Sequence, residues 1–203
     1  MLGNQILTRA IVLVLLGCGL LVVWFEFPST NDTDVLTVRF LDVGQGDAIH
    51  IITPDDFEVL IDGGATASVL RVLAENRTFF DRELDLIIAT HPDQDHVGGL
   101  VDVLARYQVA NVLLTDVEHD TPAATAFEEA LAQESGVELV EAEAGQVIML
   151  GASTTLTILS PRGDTSNWQS NNASIVAKLT YGEIDFMLTG DAPKTIENFL
   201  VNY

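Results

Sequence analysis

Residues 90–99 read THPDQDHVGG and directly follow an apolar run, LDLIIA, at residues 84–89. Within six positions this stretch holds two histidines and two aspartates: His91, Asp93, Asp95 and His96. Imidazole nitrogens and carboxylate oxygens are common ligands of divalent cations. A polar surface loop is the simpler interpretation. However, four ligand side chains behind a buried strand favour a metal site of the kind that hydrolases use.

The geometry of this segment is predicted to be extended at first. Alternate residues of an extended chain point the same way, so His91, Asp93 and Asp95 are expected to converge on one side. His96 then begins the next segment, and the glycines at 98 and 99 let the backbone pass close to the site. A helix is predicted over residues 100–107.

Size and composition indicate one globular domain. The chain has 203 residues, 48% of them hydrophobic, which is enough for a sizeable core. Its net charge of −21 comes from 30 acidic and 9 basic residues, which argues against the broad basic surface of nucleic-acid binders. Cys18 is the single cysteine, so no disulfide can form within the chain.

The N-terminus is predicted to be a membrane anchor. Residues 10–25 carry no charge, and the apolar character extends to residue 27, close to the length of a bilayer span. Arg9 precedes the run, which predicts that residues 1–9 are cytoplasmic, residues 10–27 are a single-pass transmembrane anchor or an uncleaved signal, and the domain is extracytoplasmic. Residues 28–34 would be a linker. A cleaved signal peptide, a lipoprotein box at residues 15–18 and a buried core helix are the alternatives.

From residue 35 onward the chain alternates short strands with helices. Strands are predicted at 35–41, 48–53, 57–61, 84–89, 111–115, 137–140, 147–150, 154–159, 173–180 and 184–189. Helices are predicted at 68–75, 100–107, 121–133 and 193–201. Strands in clusters, separated by helices, indicate a layered α/β fold.

Five motifs in this order resemble a known family. They are LDVGQGDA at 41–48, IDGG at 61–64, THPDQDHVGG at 90–99, NNAS at 171–174 and LTGDA at 188–192. The set resembles the metallo-β-lactamase superfamily, and within it the ComEC-type competence hydrolase branch. The resemblance covers residues 35–203 and implies an αββα sandwich with a metal site at one edge of its two sheets.

The resemblance also implies a set of metal ligands. His91 and Asp93 would hold one metal ion, Asp95 and His96 would hold a second, and Asp191 would bridge the two. Asp93 stands where the wider superfamily has the second histidine of His-x-His-x-Asp-His. Asp95 or Asp191 would orient the attacking water.

Three further residues have weaker assignments. The superfamily places a third histidine just before the strand at Ser174. Here Asn171 is the expected substitute, through its oxygen or through a water. Asp47 and Asp62 either shape turns or support the ligand loop by hydrogen bonds.

Taken without the resemblance, single residues remain ambiguous. Asp191 could equally be the N-cap of a helix that begins near Pro193. His50 and His119 lie outside the motifs and are predicted to be ordinary surface or turn residues.

The function implied by the resemblance is metal-dependent hydrolysis of a phosphodiester, namely DNA during uptake. Zinc or manganese would be the cofactor, because a carboxylate-rich ligand set makes Mn²⁺ a rival of Zn²⁺. The branch continues with a further strand and a His-His-Gly-Ser-like loop, so the domain is expected to be partial and its second metal site incomplete. A small-ester or lactone hydrolase is the alternative enzyme, and a catalytically impaired, membrane-anchored binding domain is the alternative without catalysis.

Overall fold

The computed structural model describes residues 35–75 and 82–202. The predicted segments 1–9, 10–27 and 28–34 lie outside the described residues and stay predictions. Among the residues that the structure describes, no helix is both long and apolar enough to cross a membrane.

A six-stranded sheet forms the first half of the fold, with its strands side by side in chain order. The strands are β1 (Thr37–Phe40), β2 (Ile49–Ile52), β3 (Glu58–Ile61), β4 (Glu83–Ile88), β5 (Gln108–Leu114) and β6 (Glu138–Glu141). β1, β2 and β3 pair antiparallel, whereas β3 to β6 pair parallel. The parallel strands bring their carboxyl ends to one edge, where loops of an α/β sheet commonly form sites.

A four-stranded antiparallel sheet forms the second half, in the order β10-β9-β8-β7. Its strands are β7 (Val147–Met149), β8 (Thr154–Ser160), β9 (Val176–Tyr181) and β10 (Ile184–Leu188). In β8 the burial alternates residue by residue, so Leu156 and Ile158 face the core. The predicted hairpin is confirmed as β9 and β10.

The helices complete the layers. They are α1 (Ser68–Ala74), α2 (Gln94–Leu104), α3 (Pro122–Gln133) and α4 (Lys194–Val201), and a short 3-10 helix (Ser170–Ala173) precedes β9. Neighbouring residues of β4 pack in opposite directions: Ile87 joins the core cluster under α1 to α3, and Leu86 joins the cluster between the two sheets. The middle of the six-stranded sheet is therefore buried on both faces, and the predicted two-sheet α/β architecture is confirmed.

One helix begins earlier than predicted. α2 starts at Gln94, inside the histidine-aspartate segment, and not at residue 100. Its two glycines make the early start possible by close packing, because a Cβ at Gly98 would press on Ala65 and a Cβ at Gly99 would overlap the Gly63 carbonyl. Tertiary contact outweighs the poor helix propensity of glycine here.

The expectation for His50 was wrong. His50 is 1% exposed in the middle of β2, and its Nε2 lies 2.9 Å from a carboxylate oxygen of Glu58. It is a buried histidine with an acidic partner, not a surface or turn residue.

Candidate metal centre

The candidate centre lies where the carboxyl ends of β3 and β4 meet. Because these strands run parallel, Asp62 and Thr90, which follow them, come side by side. The N–H of Asp62 donates to the Ile88 carbonyl at 2.9 Å. The N–H of Gly63 donates to the His96 carbonyl at 2.8 Å. The loop after β3 is thus tied both to the end of β4 and to the first turn of α2.

Asp62 is the buried acceptor at this junction. It is 1% exposed and accepts hydrogen bonds from the N–H of Thr90 at 2.8 Å, the hydroxyl of Thr90 at 2.7 Å and Nδ1 of His96 at 2.7 Å. Its backbone has a φ of 56°, which aspartate and asparagine tolerate better than most residues. Asp62 therefore fixes both the start of the ligand loop and the ring of His96.

His96 directs one ring nitrogen toward the centre. Its Nδ1 is committed to Asp62, which leaves Nε2 facing Asp191, with 3.7 Å between Nε2 and Oδ1. Burial alone would lower the pKa of His96, but the hydrogen bond and the charge of Asp62 outweigh burial and raise the pKa to about 9.

His91 presents a second ring nitrogen. Its Nδ1 lies 3.0 Å from the hydroxyl oxygen of Thr90. That hydroxyl donates to Asp62, so Nδ1–H of His91 donates to Thr90 and Nε2 keeps its lone pair. Nε2 is buried, and it has no hydrogen-bond partner among the residues that the structure describes. Burial, and then the charge of His96, lower the pKa of His91, which favours the neutral ring that a metal ligand needs.

Asp191 completes a cluster of three. It follows Gly190 after β10, is 46% exposed, and offers an oxygen within 4.8 Å of the ligand nitrogens of His91 and His96. Gly190 packs against the side chain of Thr90, which brings this loop against the ligand loop. A buried, unpartnered nitrogen beside a second imidazole and a carboxylate is a donor set that fits a divalent cation.

The predicted convergence of His91, Asp93 and Asp95 is found only for the first two. Asp93 Oδ2 lies 3.6 Å from His91 Nε2, at the border of the cluster. Asp95 lies in the first turn of α2, where the chain is no longer extended, so the expected alternation of His91, Asp93 and Asp95 ends at Asp93. Asp95 is half-buried, and its charge acts on His96, but it is not one of the three clustered ligands.

Asp47 and Asn171 form hydrogen bonds through their backbones. The carbonyl of Asp47 accepts the N–H of Gly64 at 2.9 Å, and its side chain is exposed near a small cavity that Asp62 also lines. Asn171 is exposed in the 3-10 helix, and its carbonyl accepts the N–H of Ser174 at 3.3 Å. Their supporting and ligating roles stay predictions.

One residue near the centre was missed. His119 was assigned to an ordinary turn, yet its Nε2 lies 3.3 Å from Oδ1 of Asp93. The signal was in the topology: β5 is parallel to β4, so the loop after β5 reaches the same edge as the loop after β4. Recognising His119 therefore required the order of the strands in the sheet, which cannot be deduced from spacing in the sequence.

Comparison with known proteins agrees with the fold. Residues 41–203 match the sequence profile of the metallo-beta-lactamase superfamily. ComE operon protein 3 of Bacillus subtilis (strain 168) is 28% identical over 202 residues, which cover 91% of this chain and 25% of that protein. The chain thus spans about a quarter of the length of this relative.

Two solved structures are similar in fold. The metallo-beta-lactamase fold protein YhfI from Bacillus subtilis superposes with a TM-score of 0.51 and 17% identity, over 76% of this chain and 61% of that chain. Zn²⁺-bound PqqB from Methylobacterium extorquens gives a TM-score of 0.49 and 15% identity, over 70% and 51% of the two chains.

Proposed function

The chain belongs to the metallo-beta-lactamase superfamily, and we propose that it is a divalent-metal-dependent hydrolase of phosphodiesters. One observation carries the proposal: the buried, unpartnered Nε2 of His91 lies in a cluster with His96 and Asp191. A buried nitrogen without a partner destabilises the folded protein, and a bound cation would be such a partner.

The chain's own residues account for binding and orientation. His91 and His96 would hold the metal through Nε2, because the Nδ1 atoms of both rings are occupied by Thr90 and Asp62. Asp191, which is exposed on the solvent side, would hold the metal and orient the attacking water. When bound, the ion would lower the pKa of water and polarise the phosphoryl oxygen.

Zinc and manganese both suit this donor set. Two imidazole nitrogens are favourable for Zn²⁺, and carboxylate oxygens are favourable for Mn²⁺. We include Asp93, Asp95 and Asn171 as further ligands by the family resemblance. Of these, Asp93 has the strongest support, because its Oδ2 already lies 3.6 Å from His91 Nε2.

DNA during uptake is the proposed substrate, since the relative at 28% identity is a ComE operon protein. The net charge of −21 limits the ways in which the domain can hold a polyanion. Contact with phosphate would therefore depend on the metal, which attracts anions by its own charge. From the apolar run and Arg9 before it, we propose residues 10–27 as a membrane anchor and place the domain on the outer side of that membrane. A non-catalytic binding domain is the alternative that activity assays decide.

A small-ester or lactone hydrolase is the second candidate, and a specific cavity favours it. A pocket of about 50 Å³ lies beside His91 and is lined mostly by apolar side chains, among them Val117, Phe127 and Leu131. Such a wall would accept an alkyl group more readily than a nucleotide phosphate.

The decisive experiment compares substrates and metals on the full chain purified in mild detergent. We expect Mn²⁺ or Zn²⁺ to bind and to support cleavage of bis(4-nitrophenyl) phosphate. Asp191→Ala and His91→Ala should abolish both. Asp102→Ala is the matched control, because Asp102 on α2 is a similarly exposed aspartate (40% against 46%), paired with Arg106 just beyond the helix. Faster turnover of an aryl ester or a lactone would select the second candidate. Metal binding without turnover of any substrate would select the binding domain.

A further inference from the structure

The loop after β5 brings a third histidine to the border of the candidate metal centre. His119 Nε2 lies 3.3 Å from Oδ1 of Asp93, while the other oxygen of the same carboxylate, Oδ2, lies 3.6 Å from His91 Nε2. The carboxylate of Asp93 therefore lies between two imidazole rings. The side chain of His119 is 28% exposed and that of Asp93 is 33% exposed, so both are partly buried.

The neighbouring hydrogen bonds are compatible with a proton on Nε2 of His119. Thr121 is the N-cap of α3, and its hydroxyl oxygen accepts the N–H of Ala124 at 3.2 Å. The hydroxyl hydrogen of Thr121 is then available to donate to Nδ1 of His119, 3.3 Å away. A neutral ring that accepts at Nδ1 carries its hydrogen at Nε2. With this tautomer the hydrogen on Nε2 lies on the side of the ring nitrogen that is 3.3 Å from Oδ1 of Asp93.

Asp93 does not form the N-cap hydrogen bond that is expected at its position. It occupies the N-cap position of α2, where an aspartate side chain ordinarily accepts an N–H of the first turn. In this structure the Asp93 side chain makes no such hydrogen bond, although its backbone carbonyl accepts the N–H groups of His96 and Val97. The Asp93 carboxylate does not contact the first-turn N–H groups of α2 as an N-cap would, and lies near His119 and His91.

We propose that His119 is a positioning residue that holds Asp93 out of the N-cap of α2 and turns its free oxygen toward His91. This proposal rests on the proposed function, because the oriented oxygen matters as a metal ligand. Without His119 the carboxylate would rotate back to cap α2. Metal affinity would then fall, while the metal-free fold would keep its stability or gain some from the restored cap.

This opposite response of two properties separates positioning from a structural role. A residue that only supports the fold would lower stability and metal affinity together. For His119→Ala we expect the dissociation constant of Mn²⁺ or Zn²⁺ to rise about 10–100-fold, the usual effect of losing a partner behind a ligand. The urea midpoint of the metal-free protein should not fall.

Two further variants sharpen the test. His119→Gln places an amide N–H near the position of Nε2–H and should retain most of the affinity. In the Asp93→Ala background, His119→Ala should cause no additional loss, since the group that it positions is gone. His50→Ala is the matched control, because His50 is buried beside Glu58 in another part of the fold. It should lower stability and leave metal affinity unchanged.

The experiment measures Mn²⁺ and Zn²⁺ binding by chelator competition, and amide ¹H–¹⁵N shifts of the metal-free full chain. In His119→Ala the amides of Asp95 and His96, in the first turn of α2, should shift as Asp93 caps the helix. Wild-type affinity in His119→Ala, additive losses in the Asp93→Ala background, or unchanged amides would each overturn the proposal. If the wild-type chain binds neither ion, the proposed function is wrong, and the amide shifts alone then decide whether His119 positions Asp93.

Discussion

Replacing Asp62 by asparagine is expected to hold the single proton of each neutral imidazole on its metal-facing nitrogen. Asparagine keeps the size of Asp62 and tolerates its φ of 56°, so the backbone is not strained. The amide oxygen can still accept the N–H of Thr90, but the amide nitrogen, which replaces Oδ2, must donate. In the neutral form that metal binding requires, His96 Nδ1 then has to accept, so the one proton of the ring lies on Nε2, whereas Asp62 holds it on Nδ1 in the wild-type chain.

The effect continues through Thr90 to His91. In the wild-type chain the Thr90 hydroxyl donates to Asp62 and accepts from Nδ1 of His91. When position 62 donates instead, the hydroxyl hydrogen is free to donate to His91 Nδ1, and the His91 proton also moves to Nε2. Partners behind a ligand typically change metal affinity about 10–100-fold. With two rings affected we expect the upper end, about 2.8 kcal/mol.

The assay combines chelator competition with imidazole ¹⁵N shifts, which report the nitrogen that carries the proton. Asp85→Asn is the matched control: Asp85 Oδ2 accepts the N–H of Glu58 at 2.7 Å on the same sheet, away from the centre. Both variants exchange a charged hydrogen-bond acceptor for a neutral amide and should lose stability, by no more than the about 1.5–3 kcal/mol that a hydrogen bond to a charged group contributes. Wild-type metal affinity in Asp62→Asn, or an equal loss in Asp85→Asn, would refute the reasoning.

Three other predictions concern stability. Gly46→Ala should destabilise the fold by about 3–5 kcal/mol in urea unfolding, because a Cβ there would overlap the Asp95 carbonyl at a φ of +81°. Gly44→Ala, at +91° with nothing within 4 Å, should cost only the strain of about 1–2 kcal/mol, and equal losses would contradict this. In EDTA, the stability that His96 contributes should be fully present below pH 6.5 and lost as the pH rises through about 9, because folding raises the pKa of His96. The measurement is the urea midpoint of the wild-type chain relative to His96→Gln. A difference in midpoint that does not fall over this pH range would contradict the prediction. A chain that starts at Asp32 should fold and stay in solution without detergent, since residues 35–203 form a unit of their own; a need for detergent would disprove it.

The sequence predicted those features whose signals are local. β4 ends in an apolar run, LII at residues 86–88, and the ligand residues follow soon after it, so the location of the candidate centre could be predicted from residues 84–99 alone. The start of α2 could not, because Gly98 and Gly99 lower helix propensity and only the contact with the loop after β3 explains them. The same error produced the expected convergence of Asp95.

Contacts between distant segments could be predicted only where a motif marked both partners. The IDGG motif drew attention to Asp62, but three hydrogen bonds across 28 and 34 residues of chain define what it does. His119 belonged to no motif. His50 lies in one strand, and its partner Glu58, eight residues further along the chain, lies in the next. Composition predicts neither contact, since each depends on which strands lie next to each other.

Topology also resolves the ambiguity of Asp191. On sequence alone it could have been the N-cap of the last helix, as good a use of an aspartate as metal binding. In the structure the N-cap of α4 is Pro193, so the helix does not use the Asp191 carboxylate in this way. That carboxylate instead lies within 4.8 Å of the ligand nitrogens of His91 and His96, 3.7 Å from the second of them. Its position follows from the packing of Gly190 on Thr90, which places the end of the second sheet against the end of the first. The candidate centre therefore requires both sheets, because the imidazoles follow a strand of one and the carboxylate follows a strand of the other.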